Sequence, residues 1–160
     1  MYINQACFTL LYQVKLQAAQ LVQGLTGTAD GLAALATTAH DLLPSLLRLL
    51  PTAQPPELAP CALAALVNIS QDASMAAALV DARAIGRAAD YLNEGPPHLP
   101  ARLLVMLLAN LTTRPEGATQ LVQGSGRRPP GTYMYALLLY TCLFVYSHFQ
   151  SRVHLHDCTE

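Results

Sequence analysis

A ten-residue phrase recurs along this chain, and its spacing restricts the fold more than any other feature. Cys61-Ala-Leu-Ala-Ala-Leu-Val-Asn-Ile-Ser70 is echoed downstream by Arg102-Leu-Leu-Val-Met-Leu-Leu-Ala-Asn-Leu-Thr112 and upstream by Gln17-Ala-Ala-Gln-Leu-Val-Gln-Gly-Leu-Thr26. Superposition pairs Gly24, Asn68 and Asn110, at spacings of 44 and 42 residues. The likeness runs on, because Leu35, Leu79 and Leu121 also align, and Thr26, Ser70 and Thr112 each place a hydroxyl where an apolar helix ends. A unit of this length, built from helices, buries its apolar faces mainly against its neighbours in the chain.

The period therefore predicts an all-α fold, an armadillo/HEAT-like α-solenoid of about two full repeats with partial repeats on either side. Composition agrees. Of 160 residues, 52% are hydrophobic and only 12% charged, as expected where helices are covered on two sides. A net charge of −1 leaves no electrostatic footprint for nucleic acid. Four cysteines without a CxxC pair point to a reducing, intracellular setting, with Cys61 acting as a small hydrophobe on a repeat helix. Residues 1–12 carry no basic stretch and no cleavage signature, so no signal peptide is expected.

In order, residues 1–13 match nothing in the repeat, residues 14–123 form the array, 124–132 make a Gly/Pro/Arg linker, and 133–160 are an unmatched apolar tail. Within the array the first helix is expected over Lys15–Leu25, with Val14, Ala18, Leu21, Val22 and Leu25 as one apolar stripe and Gly27 as a left-handed stop. Triplets follow at Gly31–Thr37, Leu42–Leu50 and Glu57–Ile69, then at Met75–Val80, Ile85–Leu92 and Ala101–Leu111. Gly117–Val122 opens a third triplet. Asp41 and Ser74 are the expected N-caps, Pro44, Pro60 and Pro100 fall at helix starts, and Thr113-Arg-Pro-Glu116 reads as a capping box. The runs Pro51–Pro56 and Asn93–Pro100 are loops.

The chemistry is sparse. No GxSxG, HExxH, phosphate-cradling loop or carboxylate pair on one helix face occurs, so no catalytic residue, cofactor or metal is expected and the chain reads as a non-enzyme. His154, His156 and Cys158 are metal-ligand types at close spacing but lack a second cluster. His40 and His98 sit beside helix starts and read as solvated. Asn68-Ile-Ser70 and Asn110-Leu-Thr112 are formal glycosylation sequons closing buried helices, for which a structural role is the simpler reading. The same two residues, Asn68 and Asn110, are the candidate partner-binding residues: an amide at one position of successive repeats offers a donor and an acceptor to an extended partner. Equivalent amides also bridge neighbouring helices, and Gly24 interrupts the row. The run Tyr133–Phe149, flanked by Arg127-Arg128 and Arg152, has an alternative use. As a helix it would be about 26 Å long, short of the roughly 30 Å hydrocarbon core, yet it suits a membrane anchor in its flanks.

Several of these segments resemble the amino-terminal part of the Hgh homologue family, also called brain-protein-sixteen homologues. They are Leu25-Thr-Gly27 with Gly31-Leu32, Ala65-Leu-Val-Asn-Ile-Ser-Gln-Asp72, and Met106-Leu-Leu-Ala-Asn-Leu-Thr112 with Glu116-Gly117. The likeness covers Val14 to Gln123 and stops at Gly124. It implies a cytoplasmic armadillo-like scaffold without catalysis. It further implies a chaperone-adaptor role, in which translation elongation factor two is the client and the cytosolic chaperonin and Hsp90 machinery are partners.

Overall fold

The computed structural model describes residues 2–50, 57–94 and 100–125, and every element among them is a helix. In chain order these are α1 (Tyr2–Thr26), α2 (Ala29–Ala36), α3 (Ala39–Leu49), α4 (Leu58–Ile69), α5 (Ala73–Asp81), α6 (Ala84–Glu94), α7 (Ala101–Thr112) and α8 (Pro115–Ser125). Helices stand where both triplets were expected, α2, α3 and α4 and then α5, α6 and α7, and α8 follows them. The linker and tail at 126–160, with His154, His156, Cys158 and the apolar run, lie outside the described residues, as does His98.

The third helix of each unit forms the spine. α4 packs against α1 on one side and α7 on the other, and α3 and α6 back α4 and α7 from behind. Eight of the twelve α4 residues are buried, including Leu58, Leu63, Leu66 and Ile69, because three helices cover it. Leu43, Leu46 and Leu47 from α3, Ile85 from α6, and Leu104, Leu107 and Leu108 from α7 complete one continuous core. Burying side chains of this size contributes roughly 1.5–3 kcal/mol each.

Helix ends depart from expectation in instructive ways. α1 starts at Tyr2, well before Lys15, and stops without a left-handed residue. Gly27 N–H donates to the Gly24 carbonyl and Thr28 N–H to Leu25, a tightened final turn that needs no positive φ. Thr38, the last residue of the connection from α2, occupies the N-cap position of α3, so Asp41 falls inside the first turn and Pro44 inside the helix proper. Asp72 rather than Ser74 caps α5: its carboxylate accepts from Ser74 N–H at 3.0 Å and Met75 N–H at 2.9 Å. The Thr113 hydroxyl turns back to the Asn110 carbonyl, closing α7 instead of opening a capping box, while Pro115 takes the first position of α8. His40 is exposed, paired only with its neighbour Asp41 at 3.1 Å.

The largest correction concerns α1. Its buried face is Tyr12, Leu16, Ala19 and Thr26, turned to α4, whereas the more apolar stripe of Val14, Ala18, Leu21 and Leu25 faces outward and only Val22 is half-buried. Periodicity identifies an apolar stripe but not which neighbour exists to cover it.

Two glycines set how closely the units approach. A Cβ at Gly31 would collide with the Leu25 carbonyl oxygen, and one at Gly117 with the Leu111 carbonyl oxygen. Each lies in the first turn of a helix that packs onto the end of the preceding one. Gly117→Ala should therefore lower stability by roughly 1–3 kcal/mol, the usual cost of overpacking, read from the urea midpoint with the parent slope retained. A separate expectation follows from Asp72. The hydrogen bond from the Ser74 side chain, then that from Met75 N–H, hold its carboxyl below the usual range. Its folded value lies beneath its unfolded one, so the cap stabilises above about pH 4 and is lost as pH falls through the folded value. Asp72→Ala should cost about 1 kcal/mol at pH 7, and the parent–variant difference should shrink on acidification toward pH 3.

Candidate functional site: an amide row across α1, α4 and α7

Each spine helix ends in the same small piece of chemistry. On α1, Thr26 Oγ1 donates to the Gln23 carbonyl at 2.9 Å and accepts from Asn68 Nδ2 at 3.3 Å. On α4, Ser70 Oγ donates to the Val67 carbonyl at 2.7 Å and accepts from Asn110 Nδ2 at 2.8 Å. A hydroxyl has one proton and two lone pairs, so one group closes its own helix and receives the amide of the next unit. Thr112 repeats the first half, donating to the Leu108 carbonyl at 2.8 Å. Thr26 and Ser70 are buried, at 2% and 5% exposure, and their desolvation is offset because both functions of the hydroxyl are used.

Asn68 and Asn110 are thus brought onto one row, as their shared position in the repeat predicts, but neither stands free. One N–H of each bridges to the preceding unit, the structural alternative left open by the sequence. The rest of each amide is accessible. Both residues are half-buried, and among the described residues no protein donor reaches either Oδ1. The sequons lie within helices whose ends are occupied by these bonds.

Stepping back along each helix from the amide finds the rest of the strip, which sequence reasoning missed. Helical spacing puts Ala64 and Cys61 in line with Asn68 on α4, and Met106 and Leu103 in line with Asn110 on α7. All six are at least partly accessible. The corresponding α1 positions, Gln17, Gln20 and Gly24, are exposed. The signal was the offset itself: any residue four before the aligned Asn shares its face.

The strip carries no formal charge. Burial first, then the nearby Glu57 carboxylate, push the Cys61 thiol up, so it stays protonated at neutral pH. The arrangement offers amide donors and acceptors beside apolar surface, which suits an extended polypeptide backbone. Tyr12–Glu57, Arg114–Ala73 and Gln120–Val80 add further bonds between units, at separations of 45, 41 and 40 residues. Among the described residues, no helix is long and apolar enough to cross a membrane, and no three potential ligands are grouped to hold a metal ion. No protein-family profile matches the chain, and no curated protein is significantly similar to it.

Asn110→Ala should lower stability by about 0.5–1.5 kcal/mol with helicity nearly unchanged, since Ser70 loses its incoming donor but keeps its own bond to Val67. A double-mutant cycle with Ser70→Ala checks this. Coupling near zero would mean that the amide does not hold the two units together.

Proposed function

We propose that this chain is an armadillo-like α-solenoid acting as a non-catalytic protein-interaction scaffold, holding an extended client segment along the strip of α1, α4 and α7. The observation that carries the reading is the register of Asn68 and Asn110. Two amides of one repeat position sit on adjacent helices, each with an acceptor oxygen still open, flanked by Met106, Leu103 and Ala64. A backbone N–H of an extended partner is the complement of such an oxygen, and the apolar rows beside it accept alternate side chains. The repeated fold supports the scaffold reading as well. The five inter-unit hydrogen bonds described above span 40–45 residues, so each unit bonds its neighbour.

The resemblance to the Hgh homologue family extends this proposal to a client and a compartment. Translation elongation factor two would be held during folding in the cytoplasm, and the cytosolic chaperonin and Hsp90 machinery would be the partners. The chemistry asked of the scaffold is reversible capture, with no bond made or broken.

The test is direct. The tagged full chain, expressed in eukaryotic cells, should co-purify elongation factor two and chaperonin subunits from the soluble fraction. Met106→Lys should reduce the client recovered at least threefold with little change in the unfolding midpoint, because Met106 is 37% exposed and the lysine stem can follow the same path to water. Recovery of general heat-shock chaperones alone, or client capture indifferent to Met106→Lys, would remove the strip from the function.

A further inference from the structure

Of the three spine helices, the middle one carries the shortest side chains on the strip. Four residues before the amide position stand Gln20 on α1, Ala64 on α4 and Met106 on α7, and seven before it Gln17, Cys61 and Leu103. Both α1 and α7 pack on α4, so longer side chains border short ones on either side. Gln17, Gln20 and Met106 are exposed, whereas Ala64 and Cys61 are only partly accessible and Leu63 and Ala65 beside them are buried. The result, among the described residues, is a furrow along α4. Its floor is a methyl and a thiol, its α7 wall is apolar, and its α1 wall is a pair of neutral amides. Asn68 closes one end, about one turn from Ala64.

We propose that this furrow is the specificity pocket of the strip, and that its occupant is one large uncharged side chain of an extended client segment, of the phenylalanine or leucine kind. The inference rests on the reading of the strip as the seat of such a segment, and adds which client residue it selects. The amides require the extended form. A helix keeps its backbone N–H groups for its own carbonyls and could not answer the Oδ1 atoms of Asn68 and Asn110, to which no protein donor is bonded among the described residues. Neighbouring spine helices lie about 8–10 Å apart, so a chain crossing from α1 to α7 needs about six extended residues, and its middle passes over α4.

Size and charge choose the side chain. An alanine on the client would leave the floor and the Leu103–Met106 wall in water, whereas a leucine or phenylalanine buries apolar area against both. A charged group would enter without a counter-ion. The nearest carboxylate on α4, Glu57, lies seven residues from Ala64, about 10 Å along the axis and beyond a lysine stem. It also already accepts from the Tyr12 hydroxyl. Cys61 makes the furrow its own reporter, because a side chain lying on the floor covers the thiol.

Peptide binding and iodoacetamide labelling of Cys61 in the full chain test this. The probes are neutral Ser/Thr peptides of about eight residues with a single central Phe, Ala, Lys or Asp. By fluorescence anisotropy the Phe peptide should bind at least fivefold more tightly than the Ala peptide, and by peptide mapping it should slow labelling of Cys61 at least threefold. The Lys and Asp peptides should do neither. Ala64→Leu, which fills the furrow, should abolish the preference for Phe with unchanged circular dichroism, whereas Ala18→Leu, exposed on α1 away from the strip, should preserve it. Should Ala64→Leu lose helicity, the labelling pattern of the parent chain decides alone. Equal binding of all four peptides, weakened by Met106→Lys, would overturn the furrow and leave the strip in place, whereas no binding at all would remove both. A Lys peptide matching the Phe peptide would overturn the apolar occupant. Cys61 inert to the reagent in the free chain would mean that another part of the chain fills the furrow, and would overturn the proposal equally.

Discussion

The burial of α4 is the constraint on which the rest of this structure depends. Flanked by α1, α3 and α7, it keeps only a narrow accessible strip at Cys61, Ala64 and Asn68, and Leu58–Ile69 contains no charged residue. A helix covered on three sides cannot shift along one neighbour without losing contact with another. That fixes α1 and α7 relative to one another although they belong to different units. It also explains why the short helices α2 and α5, which alone would be too brief to persist in water, are stable as connectors onto this spine.

Apolar packing alone would leave the axial register of the spine loosely defined, because Ala and Leu recur along α4 and α7 with similar volumes. The amide–hydroxyl bonds remove that freedom. Sliding α7 by one turn would separate Asn110 from Ser70 and leave the buried Ser70 oxygen without its incoming donor, a penalty of about 1–3 kcal/mol. Gly31 and Gly117 constrain the joints α1–α2 and α7–α8 instead, where the absence of a Cβ lets each helix start lie against the carbonyl oxygen of Leu25 or Leu111. Small polar groups thus choose among arrangements that hydrophobic burial would nearly equally allow.

Helices α2 to α8 were legible in the sequence because apolar spacing and proline breaks mark segments strongly, and the repeat let each copy corroborate the others. Caps were less so. Ser74 and Asp72 are both good N-cap residues, and the choice fell to Asp72 because the turn after Ile69 is tight, with Asp72 N–H bonded to the Ile69 carbonyl. Asp41 lost to an earlier start for the same kind of reason, a neighbour-set turn that composition does not encode. The row of Asn68 and Asn110 was visible as a pattern, but its use was not. Whether an amide bridges helices or waits for a partner depends on the hydroxyl 40 or 42 residues away being within reach, and only packing brings it there.

α1 shows how an apolar stripe and a buried stripe can part company. Its packed face, with Tyr12 and Thr26, is the more polar, and the Tyr12 hydroxyl reaches across to the Glu57 carboxylate at 2.9 Å. A helix needs only small or amphipathic side chains to lie closely against α4, and Ala19 and Leu16 suffice for that. Turning Val14, Leu21 and Leu25 inward instead would rotate Tyr12 and Thr26 away from α4 and break their bonds to Glu57 and Asn68. Two hydrogen bonds, from Tyr12 to Glu57 and from Asn68 to Thr26, thus fix the rotation of α1 about its axis and leave its more apolar stripe turned outward.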